Sequence, residues 1–263
     1  MPLGAFEREV LRIIAANRNP DSYLGGATIL HRGAESPRTS RDLDVFHDTT
    51  QSLTVAVEAD TAALRRAGFD VELAKPQETF QRAIVTKEPG GTKLEWVFDS
   101  AFRFFPVEPD PELGWRLNFW DAATNKTLAL FGRHEFRDYV DVNYLHRQHL
   151  HLGALVWAAA GKDPGLTPEL ILEWIKRHGT YSPDQIKQVA LHETLDLKQL
   201  KIEWLQIVQD AETLIAALPM EEVGCFYLGP AGTPVCPCPG SPEFPKLTRH
   251  FGSVKGAWPR IAS

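Results

Sequence analysis

The chain has 263 residues, of which 43% are hydrophobic, so it can bury a sizeable core, and a disordered chain is excluded. Its formal net charge of −6 argues against a protein that coats nucleic acid, although a local basic patch stays open. Three cysteines are too few for a closed disulfide framework, and no apolar run approaches the length of a membrane span. We therefore expect a cytoplasmic protein without a membrane-inserted part.

The first half of the sequence has the pattern of a mixed α/β domain. Apolar residues at helical spacing predict helices over residues 5–17 and 52–67, and Leu43, Val45 and Phe46 predict a buried strand. The turn sequence Glu-Pro-Gly-Gly at 88–91 predicts a hairpin. The extended runs are residues 69–75, 79–87 and 92–100, and the hairpin joins the last two.

The second half is predicted to be mostly helical, and it ends in a loop-like tail from residue 218 that is rich in Pro and Gly. We therefore predict an α+β protein, with an α/β domain over residues 1–120 and a mostly helical domain over residues 121–263. The predicted helices of this half are residues 124–131, 134–160, 167–177, 182–192 and 196–217.

Two aspartates one residue apart, Asp42 and Asp44, open the apolar run of the first predicted strand. On a strand, residues i and i+2 point to the same side, so the two carboxylates repel unless water or a cation lies between them. Mg²⁺ prefers such oxygen ligands and commonly keeps substrate phosphates in its shell. The pair therefore indicates a magnesium site, against the alternative of two solvated acids at a strand end.

A glycine pair, Gly25-Gly26, precedes the aspartates and adds the other half of a metal–nucleotide site. Without side chains, glycines let a ligand approach the backbone, whose N–H groups can face phosphate oxygens. The alternative is an ordinary turn. Between the two pairs, the Ser40 hydroxyl could bind a phosphate oxygen or cap a turn, and Arg38 adds positive charge.

The pattern Gly-Gly … Arg-x-Ser-x-Asp-x-Asp resembles the signature of the polymerase-beta-like nucleotidyltransferase superfamily. Within it, the chain is most similar to the AbiEii/AbiGii toxin family of abortive-infection and toxin–antitoxin systems. A second block supports this, because members carry Lys-x-x-Ala, an Arg-rich turn and Asp-x-x-Asp in that order. The matching residues of this chain are Lys126 and Ala129, then Arg133 and Arg137, then Asp138 and Asp141.

The resemblance implies a metal-dependent transfer of a nucleoside monophosphate from a nucleoside triphosphate, such as ATP, to an acceptor hydroxyl. Asp42 and Asp44 would ligate Mg²⁺ or Mn²⁺, and superfamily sites often add a third acid from a neighbouring strand. Glu95 is the candidate and Asp99 the alternative, since both share a face of the predicted strand 92–100. The alternative for either is an exposed strand acid.

The second block is assigned to the same reaction. Lys126 is a point charge suited to the triphosphate. Asp138 and Asp141, at i and i+3, lie on one helix face and belong to the active site in the resembled family. They could orient Lys126, position a base or ribose, or act as general base.

The resemblance also implies a toxin arm with a cognate antitoxin partner, and tRNA, another macromolecule, protein or the toxin itself as acceptor. A basic strip of five arginines would suffice to hold an RNA acceptor stem if those arginines converge. Two other functions remain open, a non-catalytic nucleotide- or partner-binding module and an antibiotic-type small-molecule nucleotidyltransferase. The arginines of the strip are Arg32, Arg38, Arg65, Arg66 and Arg133.

Overall fold

A computed structural model describes residues 3–33, 35–39, 42–192 and 196–260. Contacts divide the chain into two compact units. Unit 1 comprises Met1–Ala101 and Pro106–Ala122, and unit 2 comprises Phe102–Phe105 and Ala123–Ser263. Within the described ranges, no helix is both long and apolar enough to cross a membrane.

Helices and strands alternate up to residue 73, strands alone follow up to residue 116, and helices predominate after it. Up to residue 116 the elements are α1 (Ala5–Ala15), β1 (Ser22–Leu24), α2 (Ala27–Leu30), β2 (Asp42–His47), α3 (Thr50–Arg66), β3 (Asp70–Leu73), β4 (Phe80–Lys87), β5 (Gly90–Phe98), β6 (Phe102–Arg103), β7 (Glu108–Asp110) and β8 (Gly114–Arg116). After it they are α4 (Phe119–Gly132), α5 (Phe136–Gln148), α6 (Leu152–Ala160), α7 (Pro168–Ile175), α8 (Pro183–Lys187), α9 (Leu197–Ala217), β9 (Cys225–Leu228), β10 (Thr248–Phe251) and β11 (Ser253–Val254).

Unit 1 is built around a sheet that mixes parallel and antiparallel strands. Over the residues described, its strands run in the order β3-β4-β5-β2-β1-β8-β7. The two central strands β2 and β5 are parallel, while β1 is antiparallel to β2 and β4 is antiparallel to β5. The predicted hairpin is confirmed, because Lys87 pairs with Gly90 across the turn that joins β4 to β5.

One face of this sheet is the core of unit 1. Leu43 and Val45 of β2 and Leu94 and Trp96 of β5 are completely buried. Helix α3 contacts both strands, and helix α1 contacts β5. The alternation along β2 and β5 therefore leaves their charged side chains on the other face. These are the side chains of Asp42, Asp44, Lys93 and Glu95.

A buried ion pair ties the turn that follows α1 to α3 and the sheet. The Arg18 guanidinium contacts the Asp60 carboxylate at 2.6 Å, and Asn17 and the Trp96 indole each donate a hydrogen bond to it at 2.8 Å. Both ionic side chains are fully buried, so the additional donors are needed to offset the cost of removing the charges from water.

Unit 2 is mostly helical and has its own core. Trp157 of α6, Trp204 of α9 and Ile175 of α7 are completely buried in it. The predicted single helix over 134–160 is wrong, because α5 ends at Gln148 and α6 begins at Leu152. Side chains stabilise this break: His146 accepts a hydrogen bond from the Leu152 N–H at 3.0 Å, and His151 accepts one from the Gly153 N–H at 3.1 Å.

The expectation that the tail from residue 218 is loop throughout is also wrong. The run Cys225–Leu228 forms β9, which pairs with β10, and β11 pairs with β6, all within unit 2. Each of these strands has four residues or fewer, and glycines flank β9, so the alternating pattern that predicts a strand is too short to recognise. Cys225 to Leu228 are all buried, which explains the apolar run.

Candidate active site

The two aspartates of β2 lie on the half-buried side of the strand. Leu43, Val45 and His47 face the core, whereas Asp42 and Asp44 alternate with them and are only partly buried. In the parallel register with β5, Asp42 is opposite Lys93 and Asp44 is opposite Glu95. Paired residues of neighbouring strands share a face, so this side of the sheet carries three carboxylates and an ammonium group.

The glycine pair meets these aspartates directly. The Gly25 N–H donates a hydrogen bond to the Asp44 carbonyl at 2.9 Å. Gly26 has a backbone φ of 64°, a value that residues with a side chain rarely adopt. A Cβ added at Gly26 would lie 2.0 Å from Asp44 Oδ2, and one at Gly25 would lie 2.2 Å from the Phe46 ring. Both glycines are therefore required by close approach of the β1–α2 turn to β2.

We expect Gly26→Ala to disturb this approach more than an ordinary glycine substitution. The added methyl group collides with the Asp44 carboxylate, and the positive φ costs about 1 kcal/mol more than it does for glycine. Gly68→Ala is the matched control, since Gly68 has a φ of 81° but nothing within 4 Å of an added Cβ. Urea unfolding should show a larger loss in the free energy of unfolding for Gly26→Ala than for Gly68→Ala. Equal losses in the two variants would contradict the collision with Asp44.

Glu95 is held by two cations in the described structure. Its Oε1 lies 2.8 Å from the Arg82 guanidinium of β4 and 3.7 Å from Lys93 Nζ. The alternative acid, Asp99, follows the end of β5, and its carboxylate accepts a hydrogen bond from the Ser100 N–H at 2.8 Å. The role of Glu95 as a third metal ligand stays a prediction.

The loop before β2 places Arg38 in a buried position. Its guanidinium donates to the Thr39 carbonyl at 3.4 Å, and the Ser36 hydroxyl donates to the Arg38 carbonyl at 2.7 Å. The Ser36 hydroxyl also lies 2.9 Å from His31 Nδ1, which fixes the loop locally. Ser40, predicted to bind phosphate, lies outside the described residues.

Unit 2 contains a second charged group, formed by the Lys-x-x-Ala and Asp-x-x-Asp blocks. Lys126 Nζ of α4 lies 2.7 Å from Asp138 Oδ1 and 3.1 Å from Asp141 Oδ2, both of α5. Arg133 Nε contacts the other oxygen of Asp138 at 2.6 Å. The two carboxylates are completely buried, and Lys126 is 8% exposed. The structure therefore brings together Lys126, Asp138 and Asp141, as the sequence blocks suggest.

The charge state of Asp138 follows from these contacts. Burial by itself would raise the pKa of Asp138, but the charges of Lys126 and Arg133 and their hydrogen bonds outweigh it and hold the pKa below the usual value. Asp138 is therefore ionised at neutral pH and is fixed as a partner of Lys126.

Several arginines of the predicted basic strip contact other groups of the protein. Arg32 pairs with Asp110, and Arg38 is buried in its own loop. Arg65 is exposed on α3 but donates to the Val71 carbonyl at 3.0 Å. In unit 1, Arg32 and Arg38 are therefore committed to protein contacts, which weakens the strip as a contact surface for RNA.

The residues at β2 fit a divalent metal. Mg²⁺ in proteins is commonly bound by one or two carboxylates together with substrate phosphates, rather than by an all-protein cage. Asp42 and Asp44 supply two such carboxylates on one side of a strand, with the Gly26 backbone against one of them. Among residues 3–33, 35–39, 42–192 and 196–260, no set of three or more His, Cys, Asp or Glu side chains could hold a metal ion by itself.

Sequence reasoning missed two residues at this face, Lys93 and Arg82. Lys93 lies 3.1 Å from Asp42, and Arg82 binds Glu95. A signal was present for Lys93, because it precedes Glu95 by two residues and therefore shares its face on a strand. For Arg82 the signal was the predicted hairpin, because the turn fixes the register that places Arg82 opposite Glu95.

Known proteins resemble this chain at the level of a family profile and of the fold. A family profile described as "Nucleotidyl transferase AbiEii toxin, Type IV TA system" matches residues 10–218. The structure of JHP933 from Helicobacter pylori is similar with a TM-score of 0.53 and 19% identity, over 80% of this chain and 91% of that chain. MenT4, nucleotidyltransferase toxin Rv2826c from Mycobacterium tuberculosis H37Rv, has a TM-score of 0.58 and 16% identity, over 82% of this chain and 83% of that chain. These likenesses confirm the predicted fold, and no curated protein matches the chain in sequence.

Proposed function

Because the chain belongs to the AbiEii nucleotidyltransferase toxin family, we propose that it transfers a nucleoside monophosphate from a nucleoside triphosphate to an acceptor hydroxyl in a metal-dependent reaction. The observation that carries this proposal is the placement of Asp42 and Asp44 on one side of β2, with the Gly26 backbone against the Asp44 carboxylate. Nucleotide transfer needs carboxylates for a metal close to the backbone that the triphosphate approaches, and the contact between Gly26 and Asp44 supports this proposal.

Asp42 and Asp44 hold the divalent cation, Mg²⁺ or Mn²⁺, in this proposal. The bound cation supplies Lewis-acid stabilisation of the charge that develops on the phosphate oxygens. The acceptor hydroxyl attacks the α-phosphorus in line, the new phosphorus–oxygen bond forms as the bond to pyrophosphate breaks, and the hydroxyl proton passes to water. Protein residues mainly position the reactants, which suits a site with two fixed carboxylates.

Gly25 and Gly26 are assigned to the nucleotide together with Arg38 and Ser40. The glycines let the β1–α2 turn approach β2 closely, which brings the Gly26 backbone to the Asp44 carboxylate assigned to the metal. Arg38 carries a positive charge in the loop that leads to β2. The role of Ser40 rests on the family pattern alone.

Lys126, Asp138 and Asp141 are assigned to the same reaction from the family pattern. We assign Lys126 to the triphosphate, and Asp138 and Asp141 orient it. Both carboxylates lie within 3.1 Å of its ammonium group, so the side chain has a fixed direction within unit 2. An oriented ammonium group binds phosphate oxygen without first losing side-chain entropy.

The biological setting is proposed from the family. A tRNA hydroxyl is the proposed acceptor, ATP is included among the candidate donors, and an antitoxin encoded nearby is the proposed partner. The protein is placed in the cytoplasm, where nucleoside triphosphates and magnesium are abundant. Co-expression of the neighbouring open reading frame should restore the growth of cells that produce this chain. Continued growth arrest would contradict the assignment of that reading frame as the antitoxin.

The reaction is tested by incubating the protein with Mg²⁺, each of the four labelled ribonucleoside triphosphates and a pool of tRNA. We expect pyrophosphate release and label on tRNA with one preferred nucleotide, and loss of both with a chelator. Label on a small hydroxylated compound instead would favour an antibiotic-type transferase. No transfer and no pyrophosphate with any nucleotide, tRNA, bulk RNA, protein or small-molecule acceptor would contradict the proposal and favour a binding module.

A further inference from the structure

Lys93 occupies a position on the sheet that the recognised sequence motifs do not include. Its ammonium group lies 3.1 Å from Asp42 Oδ1 and 3.7 Å from Glu95 Oε1. The side chain is 30% exposed, while those of Asp42 and Glu95 are 24% and 15% exposed. A positive charge is therefore already present beside one of the two carboxylates assigned to the metal.

The sheet itself places Lys93 there. Asp42 and Lys93 are direct partners in the parallel register of β2 and β5, and Glu95 is the next residue on the same face. Arg82, opposite Glu95 on β4, binds Glu95 Oε1 at 2.8 Å through both Nε and Nη2. The oxygen of Glu95 that faces Lys93 is therefore the oxygen that Arg82 holds, so Glu95 is oriented toward the cations.

This arrangement differs from an ordinary cross-strand ion pair because its acid, Asp42, is also assigned to the metal. Ion pairs between neighbouring strands contribute little to stability, so stability alone gives a weak reason for Lys93 at this position. A divalent cation on Asp42 would lie close to the ammonium group, and two positive charges at that distance repel. A lysine side chain is flexible, so its ammonium group can leave Asp42 without movement of the strand.

We propose that Lys93 is the counter-ion of Asp42 that a divalent cation displaces, and that the displaced ammonium group then binds the triphosphate delivered with that cation. Glu95 is a positioning residue, which keeps Lys93 beside the site through the Arg82–Glu95–Lys93 contacts. This inference rests on the proposed function and deepens it, since it adds a substrate-binding residue and gives Glu95 a role other than that of metal ligand.

The displacement of Lys93 by a metal is tested by measuring Mn²⁺ binding in the absence of nucleotide, with electron paramagnetic resonance as the readout. We expect Lys93→Met to bind Mn²⁺ about two- to fivefold more tightly than the wild type, because it removes a competing cation whose pairing is weak. Lys87→Met is the matched control, since Lys87 lies on the same hairpin and pairs with Glu9 at 3.0 Å, away from Asp42. Equal affinities in the wild type and both variants would overturn the proposal.

The nucleotide part is tested by calorimetry with a non-hydrolysable triphosphate in the presence of Mg²⁺. We expect Lys93→Met to weaken nucleotide binding about tenfold, because one charge-assisted contact is lost. Lys93→Arg keeps the charge and should restore most of the affinity. An unchanged nucleotide affinity in Lys93→Met would overturn the proposal even if Mn²⁺ binding tightened.

Glu95→Gln separates a positioning residue from a metal ligand. If Glu95 acts through Lys93, the variant weakens nucleotide binding, changes Mn²⁺ affinity by less than about threefold, and adds nothing to Lys93→Met in the double variant. If Glu95 ligates the metal, Mn²⁺ affinity falls about tenfold or more with or without Lys93, which contradicts the proposal.

Failure of the proposed function has a different signature. The wild type must bind Mn²⁺ more tightly than Asp42→Asn, because that carboxylate is assigned to the metal. If these two proteins bind Mn²⁺ equally, the metal assignment fails and the inference falls with it. If the wild type binds Mn²⁺ and nucleotide but the Lys93 variants match it, the inference alone fails.

Discussion

Replacement of Asp44 by Asn is expected to reduce nucleotide transfer by about 10²–10³-fold or more while unit 1 stays folded. Asn has nearly the same shape as Asp, so the close approach of Gly26 is kept. It lacks the negative charge that holds a divalent cation, and the charge that develops on the phosphates loses its stabilisation. Asp42→Asn should have the same effect, since both carboxylates lie on one side of β2.

The measurement is the rate of label transfer at saturating nucleotide, with the melting temperature of each variant recorded beside it. Asp70→Asn is the matched control, because Asp70 is an exposed acid on β3 of the same sheet. It removes the same charge and should keep transfer within about twofold, as surface substitutions usually do little. Full activity in both Asp42→Asn and Asp44→Asn would show that the metal is held elsewhere or is not needed.

The aspartate pair was predictable because it depends on local geometry. Alternation along a strand places Asp42 and Asp44 on one side and Leu43 and Val45 on the other, whatever the rest of the sheet does. The contact between Gly26 and the Asp44 carboxylate was not predictable in the same way. It requires that β1 pair with β2 in the register that puts Leu24 opposite Val45, and no local pattern fixes that register.

Lys93 shows how a long-range pairing hides part of a site. The sequence places Lys93 and Glu95 on one face of a strand, but their position beside Asp42 depends on a parallel pairing of β2 with β5, which lie far apart in the chain. Parallel partners are not joined by a hairpin, so no turn signal announces them. The carboxylate of Asp42 was therefore predicted without the ammonium group that contacts it.

In unit 2 the order of the motifs predicted which residues make contact. The helix boundaries, in contrast, depend on individual side-chain hydrogen bonds. Lys126 and Asp138 lie on neighbouring helices joined by a short turn, so residues separated in sequence still make a direct contact. The break between α5 and α6 depends on histidine side chains that accept backbone hydrogen bonds, a use that periodicity does not reveal. The tail strands are too short for a clear alternating pattern.

Lys126→Met is expected to lower the free energy of unfolding of unit 2 by about 3–5 kcal/mol at pH 7, because breaking a buried ion pair leaves buried charge uncompensated. Asp138 and Asp141 are completely buried, and the lysine is the cation that contacts both. Urea unfolding followed by tryptophan fluorescence measures the loss. Lys176→Met is the control, since Lys176 of the same unit pairs with Glu212 on the surface and should cost less than about 1 kcal/mol.

The pH dependence of this loss identifies its cause. In the wild type, the positive partners hold the pKa of Asp138 below its usual value, so the stabilisation is present above the unfolded-state pKa of about 3.9 and is lost as the pH falls through the folded-state value. In Lys126→Met, burial still raises the pKa of Asp138 while Arg133 is left to lower it without Lys126, so the folded-state pKa rises above the unfolded-state value and stability is lost as the pH increases. The variant should therefore gain stability from pH 7 to pH 5, where the wild type changes little. A variant whose loss is the same at both pH values would indicate lost side-chain packing instead of uncompensated charge, and would count against Lys126 as the counter-ion of these aspartates.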